Sequence, residues 1–333
     1  MLDIALAGIV FLSGLVVSSL CTPFIMRKMR EAGIVGIDIH KLSKPVIPEM
    51  GGISILVGLI ATVLVSSIVL PAFITEFLVF LMVTLIAGFV GLIDDLWGLH
   101  PIVKPILTAL ACLPILIFQT YWPHPFLPLV GHEGVRLTLV YPLLIPLAIA
   151  VPANAVNMMD PLNGVMTGTC SIVTGVFLIC ALLFGRYEIA VLCAGLLGCL
   201  LAFHRYNKYP ARVFAGDVGS LAVGAGLGAL AVIGRLEVVG IIALMPQVMN
   251  AFYGLSSIGR LYEHREVTAR PISLLNDGRL MASENPRAPI TLTRLLLAEG
   301  PLEEHAAIRL FFILAAFCGA LAVLTAVIML VIP

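Results

Sequence analysis

Carboxylates, amides and a lysine that together could handle phosphate groups and a metal ion interrupt an otherwise apolar sequence. Asp94 and Asp95 end a run of more than a dozen uncharged residues, and Lys104 follows ten positions after Asp94. Carboxylate and amide oxygens bind Mg²⁺, which keeps several waters and usually takes one or two protein carboxylates plus substrate phosphates. Lysine and arginine neutralise phosphate oxygens in the transition state. These residue types therefore indicate phosphoryl transfer.

The polar residues of this kind fall in five clusters. They are KLSKPVIPEMGG at 41–52, DDLWGLHPIVK at 94–104, NAVNMMDPLNG at 154–164, YPARVFAGDVGS at 209–220 and EHREVTARPISLLNDGR at 263–279. Structural explanations also exist: charged helix ends for Asp94 and Asp95, an interfacial snorkelling lysine for Lys104, and an N-cap for Asp217. Capping and a turn do not account for three amides and a carboxylate within the eleven residues of the third cluster.

The composition of the rest of the chain predicts an all-α polytopic membrane protein. Of 333 residues, 60% are hydrophobic and 11% are charged, against roughly 25% charged in an average soluble domain. Such a sequence suits a bilayer, which helices of about 20 apolar residues cross while satisfying their own backbone hydrogen bonds. The formal net charge is zero, so nothing indicates a nucleic-acid partner.

Apolar runs and their interruptions predict about ten spans in a single membrane domain, residues 1–333. The spans are 2–26, 51–70, 76–96, 102–120, 137–156, 165–184, 188–204, 217–234, 238–258 and 307–332. The glycine-rich GAGLG at 224–228 lies inside a span, so it indicates helix packing and not a nucleotide loop.

The basic residues predict the orientation of the chain. Of 19 lysines and arginines, 16 lie in loops that follow odd-numbered spans and three lie in the others. The positive-inside rule therefore places the odd loops in the cytoplasm and both termini outside. The first cytoplasmic loop covers 27–50 and the last, the expected substrate-binding loop, covers 259–306.

All five polar clusters lie on these cytoplasmic loops, which favours an enzyme that acts at the inner face of the cell membrane. A transporter would need polar groups near the middle of the membrane and access from both sides. A polytopic transporter or lipid-binding scaffold is the alternative from a different functional class.

The order of the motifs resembles the polyprenyl-phosphate N-acetylhexosamine-1-phosphate transferase superfamily, glycosyltransferase 4 family. That order is IPEMGG, paired aspartates with a downstream lysine, NxxNxxxxxNG, FxGDxGS, and a charged loop with His and Arg. NKYPARVFAGD and ITLTRLLLAEGPLEEH make the chain most similar to the UDP-N-acetylglucosamine:dolichyl-phosphate N-acetylglucosamine-1-phosphate transferase branch. The phospho-MurNAc-pentapeptide transferase branch typically carries a His triplet in the last loop, and this sequence has none.

The resemblance implies that a lipid-borne phosphate attacks the β-phosphate of a UDP-sugar, releasing UMP and leaving a lipid diphosphate sugar. The implied partners are a UDP-sugar donor and a polyprenyl phosphate acceptor in the membrane, and a homodimer is left open. The same reaction with phospho-MurNAc-pentapeptide or another N-acetylhexosamine as the donor sugar is the alternative.

The resemblance also assigns the metal and phosphate contacts by position. Asn157 and Asp217 correspond to ligands of Mg²⁺, with Mn²⁺ as a substitute, and Lys104 corresponds to the pyrophosphate contact. Asp94 and Asp95 correspond to the paired catalytic aspartates. We expect them to orient Lys104 and metal-bound water or lipid phosphate, with the direct metal bonds made by the other two residues.

The nucleoside and sugar contacts follow in the same way. Asn163 and Phe214 correspond to uridine contacts, with the ring of Phe214 stacked on uracil, and Glu49 lies near the base. Asp160 is expected to assist the metal or the substrate. The last loop departs from the pattern of the branch, since it reads EHREVTARP. Its expected sugar and phosphate contacts are His264, Arg265 and Arg270.

Overall fold

A computed structural model describes residues 2–128, 136–259 and 269–331, and their side chains from Ala5 onward. The helices are α1 Leu2–Glu31, α2 Ile53–Val69, α3 Ile74–Trp97, α4 Val103–Leu110, α5 Leu113–Ile117, α6 Val140–Met158, α7 Val165–Leu183, α8 Tyr187–Asn207, α9 Gly216–Ile233, α10 Glu237–Ala243, α11 Met245–Ile258, α12 Leu292–Leu296 and α13 Glu304–Val331. Four short strands are β1 Val35–Ile37, β2 Val46–Pro48, β3 Ile272–Leu274 and β4 Leu280–Ala282.

The predicted all-α polytopic membrane fold is confirmed. Within the described ranges, seven helices are long and apolar enough to cross a membrane, namely α1, α3, α6, α7, α8, α9 and α13. The pair α10 and α11 adds an eighth if it forms one span, and α2 and the 103–117 segment are apolar but shorter. Each predicted span therefore contains helix, while the count of ten remains a prediction.

Two of the predicted spans are interrupted. The 102–120 span consists of α4 and α5, and the 238–258 span bends by 63° between α10 and α11. Pro114 and Pro246 lie in the first turns of α5 and α11. Proline has no amide hydrogen to donate to the preceding turn. It therefore disrupts the interior of a helix but is tolerated in the first turn, so each of these helices begins near its proline.

Helix α9 forms the centre of the bundle, with every residue from Val218 to Ile233 buried. A Cβ added at Gly224 or Gly228 would lie 2.4 Å from the carbonyl oxygen of Pro152 or 2.3 Å from that of Ala148, both in α6. Lipid offers little hydrophobic driving force between helices, so such close contact of small residues holds them together. The packing interpretation of GAGLG is confirmed.

One end of the bundle carries the segments that link α1 to α2, α3 to α4, α6 to α7, α8 to α9 and α11 to α13, and we call this end the polar face. Strand β1 pairs antiparallel with β2, Val35 opposite Pro48. Strand β3 pairs with β4, Ile272 opposite Ala282. A separate apolar cluster, which includes Met159, Leu280 and Phe311, packs the last loop against the α6–α7 turn and α13.

Candidate active site

A cleft of about 450 Å³ opens at the polar face, where α3 and α6 end and α9 begins. Four of the five polar clusters meet there. Eight of the twelve predicted site residues line the cleft: Glu49, Asp94, Lys104, Asn157, Asp160, Asn163, Phe214 and Asp217. The fold therefore brings together side chains that are up to 168 positions apart in the sequence, from position 49 to position 217.

Lys104 lies at the centre of the cleft and is 5% exposed. Its ammonium nitrogen lies 2.6 Å from Asp94 Oδ2 and 2.5 Å from Asp217 Oδ2. It also donates to Asn157 Oδ1 at 3.2 Å. Two carboxylates this close to one buried cation hold it in a fixed position, because an unpaired charge here would lose its hydration without compensation.

Asn157 connects Lys104 to the first turn of α9. Its Nδ2 donates to Asp217 Oδ1 at 2.7 Å and to Ser220 Oγ at 2.8 Å. Its Oδ1 faces the lysine, so the amide orientation follows from its partners. Asn154, one turn earlier in α6, donates to Thr108 Oγ1 at 2.9 Å and ties α6 to α4.

The two adjacent aspartates have different partners. Asp94 pairs with Lys104 and accepts from the Leu99 amide at 2.6 Å. Asp95 accepts from the backbone amides of Asp217 and Val218, at 2.9 and 3.0 Å. A carboxylate at a helix N-terminus satisfies amides that have no partner within the helix and is favoured by the helix dipole. Asp95 is thus the cap of α9, a role that the sequence analysis had weighed for Asp217.

Glycines allow the backbones around Asp217 to approach closely. A Cβ at Gly91 would lie 2.3 Å from the Asp217 carbonyl oxygen, and one at Gly52 would lie 2.2 Å from Gly219 Cα. Gly216 has φ +71°, in the left-handed region that favours glycine. The amides of Gly51 and Gly52 donate to the carbonyls of residues 214 and 215, both at 2.9 Å. The IPEMGG and FAGD motifs are therefore built against each other.

Asn163 occupies the other end of the cleft and is 5% exposed. Its Oδ1 accepts from the Ala211 amide at 2.6 Å and from Lys41 Nζ at 3.1 Å, and its Nδ2 donates to Asp38 Oδ2 at 3.1 Å. Phe214, whose backbone amide donates to Pro48 at 2.9 Å, also lines the cleft. A flat aromatic ring and an amide in one cleft suit a nucleobase.

Burial shifts the ionisation of two groups that line the cleft outside the spanning helices. It raises the pKa of Asp160 to about 7, assisted by repulsion from Asp217. It lowers the pKa of His40 to about 4, so this imidazole is neutral at pH 7. Desolvation disfavours the charged form in both cases.

The residues of the cleft fit a divalent cation. The described side chains that line it include five carboxyl groups, from Asp38, Glu49, Asp94, Asp160 and Asp217, and one ammonium group, which contacts Asp94 and Asp217. No set of three His, Cys, Asp or Glu within the described ranges is arranged to hold a metal ion alone. Mg²⁺ does not need such a set, because waters and substrate phosphates complete its coordination.

Two predicted site residues, Asp95 and Arg270, do not line the cleft. Asp95 is behind the cleft, and Arg270 is exposed and is not among the described residues that line it. His264 and Arg265 fall outside the described residues. Four residues of the site were not predicted from the sequence, namely Asp38, Lys41, Ser220 and Glu304. Asp38 and Lys41 lie three positions apart shortly before the IPEMGG motif, and Ser220 lies within the quoted FAGDVGS, so a signal for these three was present.

Sequence comparisons relate the chain to a family of known transferases. The sequence model of glycosyl transferase family 4 matches residues 77–235. A Saccharolobus solfataricus protein, provisionally named UDP-N-acetylglucosamine–dolichyl-phosphate N-acetylglucosaminephosphotransferase, is 27% identical over 92% of this chain and 93% of its own length. The phospho-N-acetylmuramoyl-pentapeptide-transferase of Geobacillus kaustophilus is 33% identical over 68% of this chain and 74% of its own.

Proposed function

Because the chain belongs to glycosyl transferase family 4, we propose that it transfers N-acetylglucosamine 1-phosphate from UDP-N-acetylglucosamine to a polyprenyl phosphate of the dolichyl type. The products are UMP and a lipid diphosphate sugar, the first intermediate of a lipid-linked glycan. The observation that carries the proposal is the convergence of Lys104, Asp94, Asp217 and Asn157 in one cleft at the polar face of a membrane bundle.

The choice of donor rests on the extent of the similarity. The provisionally named N-acetylglucosaminephosphotransferase of S. solfataricus matches 92% of this chain. Phospho-MurNAc-pentapeptide is the second candidate donor, because the G. kaustophilus transferase shares 33% identity over a shorter stretch. The last loop, without a His triplet, favours the first donor.

Each residue around Lys104 has a role in this reaction. Asp217 and Asn157 would hold Mg²⁺, or Mn²⁺ in its place, and the bound ion would neutralise charge on the reacting phosphates. Lys104 contacts the pyrophosphate of the donor, and Asp94 fixes its position. Asp95 acts through α9, whose first turn carries Asp217.

The attacking group needs little activation. The second pKa of a phosphate monoester is about 6, so the lipid phosphate is mostly dianionic at neutral pH and a general base is not obligatory. The protein has to hold two anionic reactants in line and screen their repulsion. Lys104, held by Asp94 and Asp217, does so from the protein side.

The remaining contacts are proposed from the positions of these residues in the family's motifs. The ring of Phe214 stacks on uracil, and Asn163 and Glu49 contact the nucleoside. His264, Arg265 and Arg270 of the last loop supply sugar and phosphate contacts. The distribution of basic residues supports an orientation with the polar face in the cytoplasm and both termini outside the cell membrane.

The test is UMP release by purified protein from a panel of UDP-sugars with Mg²⁺ and polyprenyl phosphate. UDP-N-acetylglucosamine should be used in preference to the others. Asp217→Ala and Asn157→Ala should abolish turnover and stay folded in detergent. The control Glu31→Ala changes an exposed residue at the end of α1 that pairs with Arg27 and Lys28, and it should match wild type. Absence of UMP with every donor would refute the proposed enzymatic activity. Near-normal rates in Asp217→Ala and Asn157→Ala would refute their assignment as metal ligands.

A further inference from the structure

A buried cluster of charged side chains surrounds the side chain of Asn163. It consists of Asp38, Lys41 and Glu304, and together with Asn163 we call it the Lys41 cluster. The side chains of Asp38, Lys41 and Glu304 are 2%, 15% and 4% exposed. Lys41 does not line the 450 Å³ cleft, but it lines a neighbouring cleft of about 430 Å³. It can therefore act on the candidate active site only through other residues.

Lys41 uses its three N–H donors on three side chains. Its Nζ donates to Asp38, to Asn163 Oδ1 at 3.1 Å and to Glu304 Oε2 at 3.2 Å. The nitrogen also lies 4.9 Å from the ring centroid of Tyr209, within the range of a cation–π contact. An ammonium group offers three donors, so its position is fully determined by these partners.

These contacts fix the side-chain amide of Asn163. The Ala211 amide and Lys41 can only donate, and the Asp38 carboxylate accepts, so the oxygen and the nitrogen of the amide cannot exchange places. Both lone pairs of Oδ1 are occupied. One Nδ2 hydrogen is not used by the described contacts, and Asn163 lines the cleft. A donor held this way suits a carbonyl oxygen, of which uracil has two.

The Lys41 cluster also joins three segments of the polar face, and Ala211 connects it to a fourth. Asp38 and Lys41 belong to the segment after α1, Asn163 to the α6–α7 turn, Ala211 to the α8–α9 segment and Glu304 to the first turn of α13. The backbone amide of Asn163 donates to Glu304 Oε1 at 3.3 Å. Without Lys41, two buried carboxylates would repel each other across Asn163, which strongly disfavours this arrangement.

We propose that Lys41 is a positioning residue for the uridine subsite: it holds the amide of Asn163, and with it the 160–164 turn, in the orientation that accepts the nucleobase. This inference rests on the proposed function, which assigns uridine to Asn163. It predicts that Lys41 governs nucleotide affinity while contributing little to the chemical step, because Lys104 and Asp217 keep their own contacts.

The test compares Lys41→Met with Lys28→Met in the full-length protein. Lys28 is a matched control, since it pairs with a glutamate three positions away on an exposed helix end. For Lys41→Met we expect the Kd of UMP by calorimetry, and the KM for UDP-N-acetylglucosamine, to rise at least tenfold. The kcat should change less than threefold, and the KM for polyprenyl phosphate should be unchanged. Lys28→Met should match wild type in all four.

A purely structural role for Lys41 would lower kcat or the folded fraction and leave the UMP Kd of the folded protein unchanged, and this result would overturn the inference. If Lys41→Met does not fold, Lys41→Arg decides. Arginine keeps the positive charge, but its longer, planar guanidinium group cannot reproduce the three contacts of the lysine. The UMP Kd of Lys41→Arg should therefore rise about threefold to tenfold, and an unchanged Kd would refute the proposal. Failure of wild type to release UMP would instead refute the proposed function.

Discussion

Replacing Asp95 by asparagine tests whether the two adjacent aspartates have different roles. The carboxylate of Asp95 accepts from two backbone amides at the start of α9, at 2.9 and 3.0 Å. Asparagine keeps one acceptor oxygen and turns an NH₂ group toward the other amide, so one charge-assisted bond is lost. Hydrogen bonds to charged groups contribute about 1.5–3 kcal/mol, and removal of an N-cap costs about 0.5–2 kcal/mol.

We therefore expect Asp95→Asn to lower the free energy of unfolding by about 2 kcal/mol in a denaturant titration in mixed micelles. The kcat should fall at least tenfold, because the first turn of α9 carries Asp217. Glu76→Gln is the control, since Glu76 lies at the opposite end of the same helix. Asp95→Asn with wild-type stability and a kcat within twofold would refute the capping role. Wild-type stability with a kcat lowered at least tenfold would instead point to a direct role of Asp95 in the chemistry.

Two further predictions concern packing and ionisation. Gly91→Ala should lower kcat at least a hundredfold, because the new Cβ would press on the Asp217 carbonyl. Gly175→Ala is the control and should match wild type, since nothing lies within 4 Å of its new Cβ. Equal kcat values for the two variants would contradict the close packing at Gly91. The stability of Asp160→Asn relative to wild type should grow by about 4 kcal/mol from pH 4 to pH 7 and then level off, in metal-free buffer. The folded protein holds a proton on Asp160 up to about pH 7, whereas the unfolded chain releases it near pH 4. The stability of the wild type therefore falls as the pH rises through this window. A difference in unfolding free energy between the two proteins that does not change with pH would contradict the pKa shift.

Much of the fold could be predicted because the bilayer leaves few options. Apolar runs of about 20 residues must be helical in lipid, so helix was expected, and is found, in every predicted span. The breaks in 102–120 and 238–258 were missed although Pro114 and Pro246 were visible in the sequence. Hydropathy averages over a window and does not register a local loss of one amide donor.

The candidate site was predictable where a motif carried the chemistry within a few residues. Asp94, Lys104, Asn157 and Asp217 converge as the motif order indicated, although their roles in catalysis stay predictions. The sequence did not distinguish Asp95 from Asp94, because the amides that Asp95 caps are 122 positions or more away. Glu304 was missed for the same reason, since it meets Lys41 only through the packing of α13 beside the first loop.

The central claim is that the whole sugar phosphate moves to the lipid, and the fate of the β-phosphorus tests it most directly. UDP-N-acetylglucosamine labelled at the β-phosphate would be incubated with the purified protein, Mg²⁺ and polyprenyl phosphate, and the lipid extracted. The account predicts that the label enters the lipid in equal amount to the UMP released. Label that stays in the aqueous phase as UDP, with unlabelled sugar on the lipid, would contradict it.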